Sequence, residues 1–130
     1  MKLTDWRGNE YGVGDIILYP RISGRSCEIS EATVVDIWET YRGDRGWKRL
    51  AEGEPVPEKE YWNYAEGAYE RRPAATEIRV KVQPNGRGSR QFYRTDYDYK
   101  RTPEGSYERV ETGIKPVTLN IIENITAVTA

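Results

Sequence analysis

Apolar and polar residues alternate in several short runs along this 130-residue chain, a pattern typical of β-strands. The clearest run covers residues 77–83. It sets three aliphatic side chains on one face against two cations on the other: Ile78, Val80 and Val82 against Arg79 and Lys81. The run predicts a strand with one buried face, whose Arg79 and Lys81 point outward.

Other β-branched and aromatic runs, separated by Gly and Pro turn signals, extend this pattern. They predict strands over residues 13–19, 31–41, 89–100, 107–112, 117–122 and 125–128. Residues 21–30 are polar and predict a loop, in which Cys27 and Ile29 are the inward anchors. The chain is therefore expected to be mainly β.

The middle of the chain, residues 42–76, breaks the pattern, because Leu50 and Val56 are its only aliphatic residues larger than Ala. Such a stretch cannot bury a core of its own, so we expect an insertion into a single domain spanning residues 1–130. Pro57 and the acidic residues after it resemble a helix start, which leaves room for one short helix within residues 57–70.

Composition narrows the classes of function. The chain has no His, which excludes Ser-His-Asp catalysis and His-ligated zinc. The single Cys27 excludes an internal disulfide and a thiolate cluster. We therefore expect no enzyme, no metal site and no cofactor. No apolar run is long enough to cross a membrane, and the first residues lack a signal-peptide pattern.

The strand start Val13-Gly14-Asp15-Ile16-Ile17-Leu18-Tyr19, a polar loop and then residues 32–37 resemble the opening of SH3-like small barrels. The whole Arg-rich, His-free chain is similar to small proteins, without an assigned function, encoded by tailed phages of actinobacteria. The resemblance implies a small antiparallel SH3-like barrel that carries the 42–76 insertion. It also implies a phage-encoded protein acting in the host cytoplasm or in the virion.

An aromatic group in the middle segment is the first candidate for a functional surface. Tyr and Trp are enriched at protein interfaces, where they bury large areas at a small entropic cost. The group consists of Trp47, Tyr61, Trp62, Tyr64 and Tyr69. It predicts a surface that binds a host or phage protein, or alternatively aromatic cover folded over the barrel.

A basic hairpin over residues 79–94 is the alternative candidate. Cations interleaved with rings are typical of single-stranded nucleic-acid binding, although outward Arg and Lys also serve solubility. The residues concerned are Arg79, Lys81, Arg87, Arg90 and Arg94, with Tyr93. Asp96 and Asp98 in the same run weaken the attraction for phosphate. A third possibility is a virion decoration or connector subunit, which would form a homo-oligomer.

Overall fold

The computed structural model describes residues 1–23, 25–88 and 95–128 of the chain. Over these residues the chain forms antiparallel strands and no helix. In chain order the strands are β1 (Leu3–Thr4), β2 (Glu10–Tyr11), β3 (Ile16–Ser23), β4 (Ser26–Gly43), β5 (Gly46–Leu50), β6 (Glu58–Asn63), β7 (Ala68–Pro73), β8 (Thr76–Gly88), β9 (Thr95–Arg101), β10 (Tyr107–Ile114), β11 (Val117–Leu119) and β12 (Thr126–Ala127). The predicted mainly β class is confirmed.

The largest sheet has the strand order β11-β8-β4-β3-β12, with β5 paired to β4. Strands β1 and β2, β6 and β7, and β9 and β10 form three separate two-stranded sheets. The two end strands of the main sheet have three and two residues and do not pair with each other. Since a barrel must close by such a pairing, the predicted closed barrel is not found among the described residues.

Strands β3 and β4 pair along their whole hairpin, from Ile16 opposite Thr33 to Ser23 opposite Ser26. The predicted loop over residues 21–30 is therefore wrong. Its supposed anchors also point the other way, because Cys27 and Ile29 are exposed whereas Glu28 and Ser30 are buried. The alternation of β4 continues that buried face to Ala32 and Val34, so two polar residues lie on the inward side of the strand.

The described chain divides into two compact units. Unit 1 comprises Met1–Ile37 and Val80–Ala130. Its core is built from alternate positions of β3, β4 and β8 together with residues near both ends of the chain: Tyr11, Ile17, Tyr19, Ala32, Val34, Val80, Val82, Ile125 and Ala127. The predicted inward face of β8 is confirmed, because Val80 and Val82 are fully buried.

A buried carboxylate, Asp5, fastens the loop between β1 and β2. Its Oδ1 accepts the backbone N–H groups of Arg7 at 2.8 Å and of Asn9 at 2.9 Å, and its Oδ2 accepts that of Ala127 at 2.8 Å. The Arg7 Nε lies 3.5 Å from the same Oδ2. Burial pushes the Asp5 pKa upward, but these N–H donors and the Arg7 charge outweigh burial and lower the pKa below 3.8.

Unit 2, Trp38–Arg79, overlaps the predicted insertion over residues 42–76. It contains β5, the β6–β7 pair and the adjoining ends of β4 and β8. Leu50, Ala74 and Thr40 are buried within it, and the Thr40 hydroxyl donates to the Glu77 carbonyl at 2.8 Å. The helix predicted within residues 57–70 is wrong, because this segment forms the β6–β7 hairpin. The single-domain assignment stays a prediction.

Candidate functional site: the aromatic hairpin

Strands β6 and β7 form a hairpin in which Trp62 lies directly opposite Tyr69 and Asn63 opposite Ala68. Residues 64–67 make the turn. The Asn63 side-chain oxygen accepts the N–H of Ala65 at 3.0 Å, and the Asn63 carbonyl accepts the N–H of Gly67 at 2.9 Å. Gly67 has a φ of +64°, a conformation that glycine adopts without steric cost. Local turn chemistry therefore fixes the register that brings the two rings together.

Because side chains alternate along each strand, the hairpin has two different faces. One face, here called the ring face, contains only exposed residues: Glu58, Glu60 and Trp62 from β6, and Tyr69, Arg71 and Pro73 from β7. On the opposite face, Lys59, Tyr61 and Asn63 are partly buried. Along β6, the ring face is therefore more exposed than the opposite face.

Three aromatic rings meet at the turn end of the ring face. The Trp62 and Tyr69 ring centroids are 5.0 Å apart at an interplanar angle of 72°, and those of Trp62 and Tyr64 are 6.3 Å apart at 86°. Both are edge-to-face contacts, the geometry that aromatic pairs favour. We call Trp62, Tyr64 and Tyr69 the aromatic trio. The three residues are 44, 90 and 70% exposed, respectively.

The other two residues of the predicted aromatic surface lie elsewhere. Tyr61 is on the opposite face of the hairpin, where the Arg72 guanidinium lies 4.2 Å from its ring centroid. Trp47 is on β5, with the Arg79 guanidinium 5.4 Å from its ring centroid. The structure therefore brings together three of the five predicted residues. Each of the other two rings instead contacts an arginine of unit 2.

Charged residues continue the ring face away from the trio. The Arg71 Nε lies 3.5 Å from a carboxylate oxygen of Glu58, diagonally across the two strands. Glu60 is directly opposite Arg71 in the register, yet it makes no ion pair among the described residues. Sequence reasoning missed this arrangement. The available signal was that Trp62 and Tyr69, and likewise Glu60 and Arg71, are equally spaced from the turn at residues 64–67.

The structure gives only part of the predicted basic hairpin. Arg79 does not point freely outward, because only 12% of its side chain is exposed and its guanidinium pairs with Glu77 beside Trp47. Its prediction as an outward cation is wrong for this reason. Lys81 is exposed on β8. Arg90, Tyr93 and Arg94 lie outside the described residues, as does the side chain of Arg87.

Other features of the described residues offer no comparable chemistry. A cleft of about 380 Å³ in unit 1 is lined by Tyr19, Pro20, Arg21 and residues 115–119. Over the same described residues, no group of three or more His, Cys, Asp or Glu is placed to hold a metal ion. Nor does this part of the chain contain a helix suited to crossing a membrane.

Comparisons with known proteins add no family. No protein-family model, no curated protein and no solved structure matches the chain. The functional argument therefore depends on the geometry of the aromatic hairpin.

Proposed function

We propose that this protein is a non-catalytic binding module that engages a protein partner through the ring face of the β6–β7 hairpin. The observation that carries the proposal is the aromatic trio, in which the Trp62 ring contacts the rings of Tyr64 and Tyr69 and all three residues are exposed. Scattered exposed aromatics are ordinary, whereas a preassembled cluster is typical of interaction surfaces. The trio is therefore the centre of the proposed interface.

The energetics favour this use of the trio. Covering a Trp or Tyr ring buries roughly 150–250 Å², and aromatic anchors dominate the binding energy of many interfaces. The hairpin register and the Asn63 turn already hold the rings in place, so little conformational entropy remains to be lost on binding. A preordered surface of this kind is suited to the centre of a larger interface.

The partner is proposed to be a host or phage protein, in keeping with the resemblance to small phage proteins. The relation to SH3-like barrels is proposed only for the opening β3–β4 hairpin. A protein partner is favoured over single-stranded nucleic acid because Arg79, the first cation of the basic hairpin, is already engaged by Glu77 and Trp47. Phosphate binding requires cations that are available to the ligand.

Site-specific photocrosslinking tests the proposal. A photoreactive phenylalanine analogue replaces Tyr64 in the full chain, and the same analogue replaces Tyr107 of β10 as a matched control. The two tyrosines are 90 and 70% exposed. In nuclease-treated actinobacterial lysate we expect discrete protein adducts from position 64 that are absent from position 107. Equal adducts at both positions, or adducts that require nucleic acid, would contradict the proposal.

Truncation of the rings supplies the second measurement. Trp62→Ala and Tyr69→Ala should each weaken binding of the crosslinked partner at least tenfold, as expected for interface anchors. Tyr107→Ala is the control and should leave the affinity unchanged. Circular dichroism and the melting temperature show whether each variant is folded. Folded Trp62→Ala and Tyr69→Ala variants that retain wild-type affinity would refute the assignment of the interface.

A further inference from the structure

Arginine–tryptophan contacts recur in this protein. A guanidinium carbon lies 5.9 Å from the Trp6 ring centroid, 5.0 Å from that of Trp38 and 5.4 Å from that of Trp47. The cations are Arg7, Arg49 and Arg79, respectively. The remaining tryptophan, Trp62, has no such cation among the described residues. It is thus the exception among the four tryptophans of the chain.

The hairpin contains cations that could reach a ring, but they are used elsewhere. Arg72 lies over Tyr61 at 4.2 Å on the opposite face. Arg71, the cation on the ring face, pairs with Glu58 at 3.5 Å. Among the described residues, the ring contacts of Trp62 are those with the two tyrosines of the trio, at interplanar angles of 86° and 72°. Over this same part of the chain, the hairpin therefore places no guanidinium over the indole.

Two carboxylates lie close to Trp62 in the hairpin, while Arg71, the cation on the same face, is paired with Glu58. Glu60 lies two positions before Trp62 on the same exposed face, and Glu66 lies in the same turn as Tyr64. Neither carboxylate makes an ion pair among the described residues. The faces of aromatic rings carry partial negative charge that attracts cations, and carboxylates accept hydrogen bonds from guanidinium groups. The rings and the carboxylates thus both favour a positively charged ligand.

We infer that the aromatic trio and Glu60 bind an arginine side chain presented by a basic segment of the partner protein, an inference that rests on the proposed function. The guanidinium would lie against the Trp62 indole and donate to the Glu60 carboxylate, reproducing between molecules the contacts made inside the chain. Arginine is favoured over lysine because its planar, weakly hydrated cation stacks on rings and pairs with a carboxylate through two N–H groups.

The test uses the full chain and three blocked peptides of equal length, in which glycine alternates with arginine, lysine or citrulline. Citrulline keeps the shape of arginine but lacks its charge. Binding is followed at about 50 mM salt through the indole N–H resonance of Trp62, assigned with Trp62→Phe. We expect the arginine peptide to bind about twofold to fivefold more tightly than the citrulline peptide, and the lysine peptide to bind with an intermediate affinity.

Matched glutamate variants test the charged half of the site. Glu60→Gln should weaken binding of the arginine peptide about twofold to fivefold. Glu104→Gln, an exposed glutamate in the turn between β9 and β10, should leave the affinity unchanged. Equal binding of the arginine and citrulline peptides, or equal effects of the two glutamate variants, would overturn the inference.

The outcomes separate the inference from the proposed function. If the arginine peptide fails while Tyr64 adducts still form and depend on Trp62, the partner binds by other chemistry and only the inference is wrong. If the adducts fail as well, both proposals are wrong. If a crosslinked partner segment contains no arginine, the inference is also refuted.

Discussion

The Asp5 carboxylate accepts the backbone N–H of Ala127 at 2.8 Å, joining residues that are 122 positions apart in the sequence. The bond fastens the β1–β2 loop to β12, the last strand of the main sheet. The Trp6 indole N–H adds a second link by donating to the Thr126 hydroxyl at 2.8 Å. A single buried charge therefore connects the beginning and the end of unit 1.

Replacing Asp5 by Asn should destabilise the protein. The carboxylate accepts through both oxygens, and an amide nitrogen in place of one oxygen would set a donor against backbone donors or Arg7. We expect the melting temperature to fall by roughly 5 °C. Thermal denaturation followed by circular dichroism measures this change. Glu10→Gln, an exposed neighbour, is the control, and an equal loss there would contradict the explanation.

The same carboxylate should make stability depend on acid pH. Its folded-state pKa lies below the ordinary value of 3.8, so its contribution is fully present above about pH 4 and is lost as the pH falls through the lowered pKa. Urea denaturation between about pH 6 and pH 2 measures this dependence. The stability gap between wild type and Asp5→Asn should shrink as the pH falls, and a constant gap would refute the assignment.

Tyr11 should titrate late at alkaline pH. Burial of its phenol, with a smaller contribution from the Asp5 charge, raises its pKa from 10 to about 12. Stability from the neutral phenol is therefore full below about pH 10 and declines as the pH rises toward 12. Phenolate absorbance should show a late transition that Tyr11→Phe removes. Asp5→Asn should shift this transition to lower pH, and no shift would exclude the coupling.

Gly67→Ala should loosen the aromatic hairpin. A φ of +64° disfavours any residue with a Cβ, at a cost of about 1 kcal/mol. We expect weaker nuclear Overhauser effects between the Trp62 and Tyr69 rings, and a peptide or partner affinity reduced in parallel. Ala65→Gly, in the same turn, is the control. Unchanged ring contacts in Gly67→Ala would show that the turn does not set the register.

The sequence predicts strands well where alternation is strict. In β8 the aliphatic residues Val80 and Val82 mark the buried face, and the structure buries them. In β4 the same rule fails, since Glu28 and Ser30 occupy the buried face while Ile29 is exposed. Polar residues on an inward face conceal the alternation, because their burial depends on neighbours that are distant in the sequence.

The aromatic site was predicted by residue type but not by geometry. Pro57 and the following acidic residues match a helix start, and no local rule outweighs that signal. The strand pairing depends on the turn that sets Trp62 opposite Tyr69, which is a relation between positions seven residues apart. The cation–ring contacts are not predictable from local sequence either, because Arg79 and Trp47 lie on two different strands.

The contacts of Asp5, Trp6 and Arg7 with β12 hold the first and the last strand segments of unit 1 next to each other. Circular permutants, in which a linker connects the segment after β12 to the segment before β1 and the chain is opened in the β9–β10 turn at residues 102–106, should consequently retain the strand pairings of unit 1. A permuted chain would then allow a fusion partner or a surface anchor to be attached at the β9–β10 turn, with the aromatic hairpin left intact.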